Sequence, residues 1–189
     1  MSQLKPLTYR ISKIWGQPQG SVEKHTIDLP LDFLEEKDLQ FSGHLKADLM
    51  LIRLKEELSV LLNNATVGLK FTCQLCLKPF IEKISILSAE REFLYNVPRN
   101  PQDEVDLFLI DTKAMTIDLS EMVRQEIILH FPLIPVCSKG CKGLCAVCGK
   151  NKNQTACKCK ISAKIETYQP FKDLKKLVNT VKPPSKHKK

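Results

Sequence analysis

The chain has 189 residues, 43% of them hydrophobic and 6% aromatic, with a formal net charge of +8. That is one domain, or one domain with an appendage, and it holds enough apolar residues for a core. No run of 18 or more apolar residues occurs, which excludes a membrane-spanning helix, and the opening MSQLKPLTYRISKIW lacks a signal-peptide hydrophobic region, so nothing in it is expected to direct secretion.

In chain order, Leu7, Tyr9 and Ile11 alternate with polar residues as in a short strand, and Gly16, Pro18 and Gly20 then interrupt it. Ile27 to Leu34 is apolar only in patches and ends at Glu35 and Glu36. From Phe41 the pattern sharpens. Phe41, Gly43, Leu45, Ala47, Leu49 and Leu51 hold odd positions, with Ser42, His44, Lys46 and Asp48 between them, which predicts a strand with one buried face. A second apolar run, Leu58 to Leu62, stops at Asn63-Asn64, and Ala65, Val67, Leu69 and Phe71 alternate beyond it. Asparagine tolerates left-handed backbone, so this pair is expected to turn a hairpin. The return strand runs into Cys73-x-x-Cys76 at a hairpin tip, and Ile81 to Tyr95 forms the next strand. Asn96 to Asp103, with Pro98 and Pro101, reads as a loop, followed by a short strand through Val105, Leu107 and Leu109.

One helix is expected over Leu119–Phe131, with Asp118 as N-cap and Glu121 completing a capping box. Leu119, Met122, Val123 and Ile127 share its apolar face, Pro132 and Pro135 end it, and His130 is assigned a structural place. A second, basic amphipathic helix is expected from Pro170 to Val181, with Phe171, Leu174, Leu177, Val178 and Val181 on one side and Lys172, Lys175 and Lys176 off that stripe. The fold class is therefore α+β. It comprises a mainly antiparallel sheet or partial barrel over residues 1–136 with a helix over 119–131, a Cys-rich module over 137–160, and a basic helix and tail over 161–189.

The cysteines carry the chemistry. Six of eight lie in CSKGCKGLCAVCGKNKNQTACKC, residues 137–159, and the other two are Cys73 and Cys76. In a chain without an export signal this density points to metal rather than disulfides, although disulfides in an exported protein are the alternative. Four thiolates suit tetrahedral zinc, and Cys-x-x-Cys followed by Gly149 makes a tight knuckle. Cys145 and Cys148 pair naturally with Cys157 and Cys159 across a polar gap, which leaves Cys73, Cys76, Cys137 and Cys141 for a second ion. Cys145 follows Cys141 by at most roughly 14 Å of chain, so two such sites would be neighbours. One zinc held by four of the six C-terminal thiols, with Cys73 and Cys76 a free dithiol, is the other arrangement.

Charge is polarised. Residues 137–189 hold fourteen lysines and two acids, whereas residues 1–136 hold fifteen basic and nineteen acidic residues. A basic end beside a metal knuckle fits a polyanion, and a solvated tail is the plainer reading. The candidate nucleic-acid contacts are Lys139, Lys142, Lys150, Lys152, Lys158, Lys160, Lys172, Lys175 and Lys176. Lysine meets phosphate as a point charge, and with only Tyr168 and Phe171 as aromatics nearby, stacking on bases is disfavoured.

The motifs CQLCLKPF, DLSEMVRQEIILHFPLIPVC and CKGLCAVCGKNKNQTACKC, in that order, resemble the bacterial YceD-like family of large ribosomal RNA subunit accumulation proteins, over roughly residues 40–177. The resemblance implies a non-enzymatic cytoplasmic factor that helps 23S ribosomal RNA accumulate or mature, with rRNA, a pre-ribosomal particle or a ribosomal protein as partner, and neither a membrane nor a small-molecule substrate. Lys150 and Lys152 stand where small or apolar residues are more usual in that pattern, and the lysine-rich end after Pro183 goes beyond it. Two rivals come from other classes. One is an adaptor that docks its partner through the acidic β body. The other is a thiol–disulfide protein using Cys73 and Cys76, against which stand strands on both sides of the pair where a redox motif has a following helix. No phosphate loop or nucleophile elbow is present.

Overall fold

The computed structural model describes residues 6–34, 39–96 and 107–159. The expected basic helix at 170–181, with Lys160, Lys172, Lys175 and Lys176, lies outside the described residues. The elements in order are β1 (Thr8–Arg10), α1 (Ser12–Trp15), β2 (Val22–Pro30), a 3-10 turn (Asp32–Leu34), β3 (Phe41–Arg53), β4 (Glu57–Thr72), β5 (Pro79–Leu94), β6 (Phe108–Leu109), β7 (Thr116–Asp118) and α2 (Ser120–Leu129).

Two open sheets result. Five strands lie in the order β2-β3-β4-β5-β6, and β1 pairs antiparallel with β7. The large sheet is an antiparallel meander from β2 to β5, and β6 then joins the end of β5 in parallel, with Phe93 opposite Phe108 and Leu94 opposite Leu109. The sheet does not close, so the partial-barrel alternative is set aside in favour of an open sheet.

The alternation expected for β3 is seen: Phe41, Leu45, Ala47, Leu49 and Leu51 are buried on one face. Asn63-Asn64 does not turn the chain. β4 runs straight through it for 16 residues, and the hairpin turn lies earlier, between Arg53 and Glu57. The physical reason is visible in the pattern of burial. Leu58, Val60 and Leu62 point inward from even positions, and Ala65, Val67 and Leu69 from odd ones. Parity switches at Asn64, whose φ is 51°. Asp48 pairs with Asn63 but Lys46 with Thr66, so β4 carries one more residue than β3 there. That is a β-bulge, which uses the same left-handed tolerance a turn would use. The Asn64 side-chain amide donates to Asp48 Oδ2 at 3.1 Å across it.

β1, α1, β7 and α2 complete the core. Leu7, Ile11, Ile14, Ile117, Leu119, Met122, Val123 and Ile127 are all buried and share one cluster with the sheet. The expected apolar face of the helix is therefore the face that packs. Its start differs in detail: Leu119 occupies the cap position, while Asp118 Oδ1 accepts the Ser120 N–H at 2.9 Å and Glu121 accepts from Gln125 Nε2 at 3.2 Å. Arg91 of β5 donates to the buried Glu126 of α2 at 2.5 Å. A charge-assisted bond of this kind contributes about 1.5–3 kcal/mol. His130 Nδ1 lies 2.8 Å from the Glu126 carbonyl oxygen at the helix end, a structural place as expected. No described helix is long and apolar enough to cross a membrane.

Candidate metal centres and the surface around them

Two Cys-x-x-Cys segments fold the same way. In the first, the Cys73 N–H donates to the Lys78 carbonyl and the Leu77 N–H to the Cys73 carbonyl, both at 2.9 Å. In the second, the Cys145 N–H donates to the Lys150 carbonyl and the Gly149 N–H to the Cys145 carbonyl, both at 2.8 Å. The residue after the second cysteine is left-handed in each, Leu77 at φ 56° and Gly149 at φ 69°. This turn aims both sulfurs of a pair, and the N–H groups around them, toward one point.

The eight Sγ atoms fall into two groups of four. Cys73, Cys76, Cys137 and Cys141 form one, and Cys145, Cys148, Cys157 and Cys159 the other, with the Sγ atoms of each group within 4.8 Å of one another. Spacing along the sequence paired the same residues. In the first group Cys73 Sγ lies 3.8 Å from Cys141 Sγ and Cys76 Sγ 3.7 Å from Cys137 Sγ. A disulfide would need about 2.05 Å. A tetrahedral zinc with sulfur at about 2.3 Å separates its ligands by about 3.8 Å, so the donor set and its spacing fit that ion. Cys73 and Cys76 lie with Cys137 and Cys141 rather than apart from the other thiols, and β5 rather than a helix follows them.

The second pair of the first group is brought to the hairpin tip by backbone bonds. The Gln74 N–H donates to the Pro135 carbonyl and the Leu144 N–H to the Leu75 carbonyl, both at 2.9 Å. Gly143, at φ 68°, passes so close to Leu75 that a Cβ there would lie 3.0 Å from the Leu75 oxygen. Glycine is required at that crossing.

The thiols split into acidic and basic members. Burial opposes the Cys73 thiolate, but the N–H groups of Cys137, Cys76 and Leu75 outweigh it and bring the thiol from 9.0 down to about 6. The N–H groups of Cys148 and Val147, with the Cys157 thiol, bring Cys145 to about 6 as well. Cys141 is lowered by the Gly143 N–H and, against burial, by Asn153. The Lys78 N–H favours the Cys76 thiolate, yet burial and the Cys73 and Cys141 sulfurs leave that thiol raised. Cys137 is pushed up to about 12 by Cys76 beside it and by burial, and Cys159 to about 12 by Cys148 and by burial. One thiolate in each group thus suppresses the next. A divalent cation removes that repulsion, which is the chemistry a four-thiol site offers.

Lys139, Lys142, Lys150 and Lys158 are exposed and Lys152 is half-buried, on a segment, residues 137–159, that contains no acid. Lys150 and Lys158 border a shallow depression with Cys148, Cys157 and Cys159. Three residues escaped the sequence reading. Lys78 is exposed and holds the same place in the first knuckle that Lys150 holds in the second; the shared Cys-x-x-Cys-x-Lys spacing was the available signal. Asn151 and Asn153 hydrogen-bond each other, and Asn153 also reaches the first thiol group; nothing in their spacing announces that.

The family profile described as "Large ribosomal RNA subunit accumulation protein YceD" matches residues 64–178, which runs from within β4 through both thiol groups. Two curated relatives carry the name "Large ribosomal RNA subunit accumulation protein YCED homolog 1, chloroplastic". The Arabidopsis thaliana protein is 34% identical over 59 residues, 31% of this chain and 18% of that protein. The Zea mays protein is 49% identical over 45 residues, 23% of this chain and 15% of that protein. The alignments therefore span less than a fifth of either relative. No solved structure matches.

Proposed function

We propose that this chain, which belongs to the YceD family of large ribosomal RNA subunit accumulation proteins, is a non-enzymatic, cytoplasmic factor for accumulation or maturation of 23S rRNA. In this reading each four-thiol group holds one zinc ion. The β body with its helix, residues 1–136, is the scaffold, residues 137–160 are the contact module, and the lysines of residues 161–189 extend it. The observation that carries the reading is the acid-free, lysine-bearing segment 137–159 folded onto two clustered sets of four thiols.

Physical chemistry connects these parts. Zinc is redox-inert and four thiolates close its coordination, so such a site shapes backbone and leaves no position for substrate. A zinc with four thiolates carries a net −2, which the flanking lysines partly offset. The remaining amines are held on a small rigid surface, and a rigid array loses less entropy on meeting phosphates than a loose tail does. Binding of this type weakens steeply with salt. We read the described histidines as structural: His25 and His44 pair with Glu23 and Asp28 on the sheet, and His130 bonds the end of α2.

Salt-dependent binding of 23S rRNA fragments by the Lys150→Glu, Lys152→Glu double variant tests this reading. Affinity should fall, and the slope of log K against log salt should flatten by roughly 0.7–0.9 for each phosphate that is no longer neutralised. Unchanged affinity with an unchanged slope would remove the loop from the mechanism. If a pre-ribosomal protein were captured equally well by this variant, the adaptor role of the β body would take its place.

A further inference from the structure

Asn153 is neither a thiol nor a neighbour of one in sequence, yet it stands between the two groups. Its Nδ2 donates to Cys141 Sγ at 3.3 Å, and its Oδ1 accepts the Lys142 N–H at 2.8 Å. Asn151 Oδ1 accepts both the Asn153 backbone N–H and the Asn153 Nδ2, each at 2.9 Å. These contacts fix which way the amide faces. Turning it over would put oxygen against oxygen at Asn151 and nitrogen against the Lys142 N–H. A donor is therefore held against the Cys141 sulfur.

The loop that carries this donor belongs to the other group. Residues 149–156 are bracketed by Cys148 and Cys157, and both of those sulfurs lie in the second set of four. Two backbone links join this loop to the segment leading out of the first group. The Lys152 N–H donates to the Gly143 carbonyl at 2.9 Å, and Leu144 bridges Asn151 in antiparallel fashion.

We infer that the two four-thiol sites fill with metal as a coupled pair, and that Asn153 is the positioning residue that links them. The inference rests on the reading that both groups hold a divalent ion. An ion between Cys148 and Cys157 ties both ends of the loop and fixes Asn153. The amide then presents its N–H to Cys141, which stabilises the thiolate, the form that binds metal. Coupling of this kind is reciprocal: filling the first site orders Cys141 and Lys142 and raises the affinity of the second by the same factor.

Zinc titration of the full chain, followed by native mass spectrometry, tests it. The wild type should pass from no zinc to two with the one-zinc species held below the level expected of independent sites. Asn153→Ala should accumulate a one-zinc species, because outer contacts to a ligand are worth about 10–100-fold in affinity. Alkylation should then label Cys73, Cys76, Cys137 and Cys141 and spare the other four. Asn153→Asp keeps an acceptor for the Lys142 N–H but sets a carboxylate against the sulfur, and should weaken the first site at least as much. A wild type and an Asn153→Ala variant with identical species distributions, both ending at two zincs, would overturn the coupling and leave the metal reading standing. Loss of both zincs in both variants would also overturn it, since Asn153 would then be needed by the loop itself. A wild type that takes up no zinc would end the metal reading and the coupling with it.

Discussion

The two knuckles are one piece of backbone in two settings. The first lies at the tip of a hairpin between two 16-residue strands, with Cys73 and Cys76 both buried. Its partner thiols come from 61 and 68 residues further along the chain. The second is closed within residues 145–159, and two of its thiols, Cys148 and Cys159, are exposed. Identical hydrogen bonding therefore serves different ends. An ion in the first would cross-link distant segments, which removes a large share of the entropy of the unfolded chain. An ion in the second would shape a short loop and leave its lysines facing solvent. Stability should reside in the first and contact in the second.

The largest expected effect separates them on that ground. With zinc in excess, Cys76→Ser should lower unfolding stability by more than about 4 kcal/mol, the range that loss of a structural metal produces. Cys148→Ser should lower it by only about 1–3 kcal/mol, through the weakened first site. Trp15, the chain's one tryptophan, stacks on Tyr95 at 5.0 Å, so its fluorescence follows the β body in both cases. Equal losses would erase the distinction between the knuckles.

A pH series on the metal-free protein comes next. Cys73 and Cys145 lie at about 6 when folded and at 9.0 when not, so the unfolded chain binds more protons between those values. Their contribution rises with pH through that window, is complete above the unfolded value, and is lost as pH falls through about 6. Cys137 and Cys159, pushed up to about 12, act in the opposite sense: the folded chain keeps protons that the unfolded chain releases, and stability falls as pH rises from 9.0 toward 12. Chemical unfolding across pH 6–12 should show these thiols producing a maximum near 9. Saturation with zinc should move the acid loss to lower pH, since the ion competes with protons for the same sulfurs.

The smallest effect exploits the left-handed position after the second cysteine, which is Leu77 in one knuckle and Gly149 in the other. Gly149→Ala should cost about 1 kcal/mol, the penalty of a Cβ at left-handed φ, since no atom lies within 4 Å of that Cβ. Leu77→Gly relieves the same penalty and should be neutral or stabilising by up to about 1 kcal/mol. Thermal unfolding of the two zinc-loaded variants reads the pair.

Sequence legibility followed the strength of the local signal. β3 and the buried face of α2 were readable because alternation and helical spacing were uninterrupted and a single core enforced them. The grouping of thiols was readable because paired cysteines at short spacing leave few partitions. β2 was not: it is an edge strand with Glu23, Lys24, His25 and Asp28 along it and only Ile27 buried, and Pro30, opposite His44, ends it where an edge strand tolerates a missing N–H. Asn64 gave a true signal of left-handed backbone that serves a bulge as well as a turn, and the parity switch from Leu62 to Ala65 was what distinguished them. Asn153 was invisible because its meaning depends on Cys141, which only the folded loop brings within reach.

The most direct test of the account is the metal content of the purified full chain, made in zinc-containing medium and weighed by native mass spectrometry with parallel thiol alkylation. The account predicts two zinc ions per chain with all eight thiols protected. One zinc with Cys73 and Cys76 open to alkylation, or no zinc with eight reactive thiols, would contradict it.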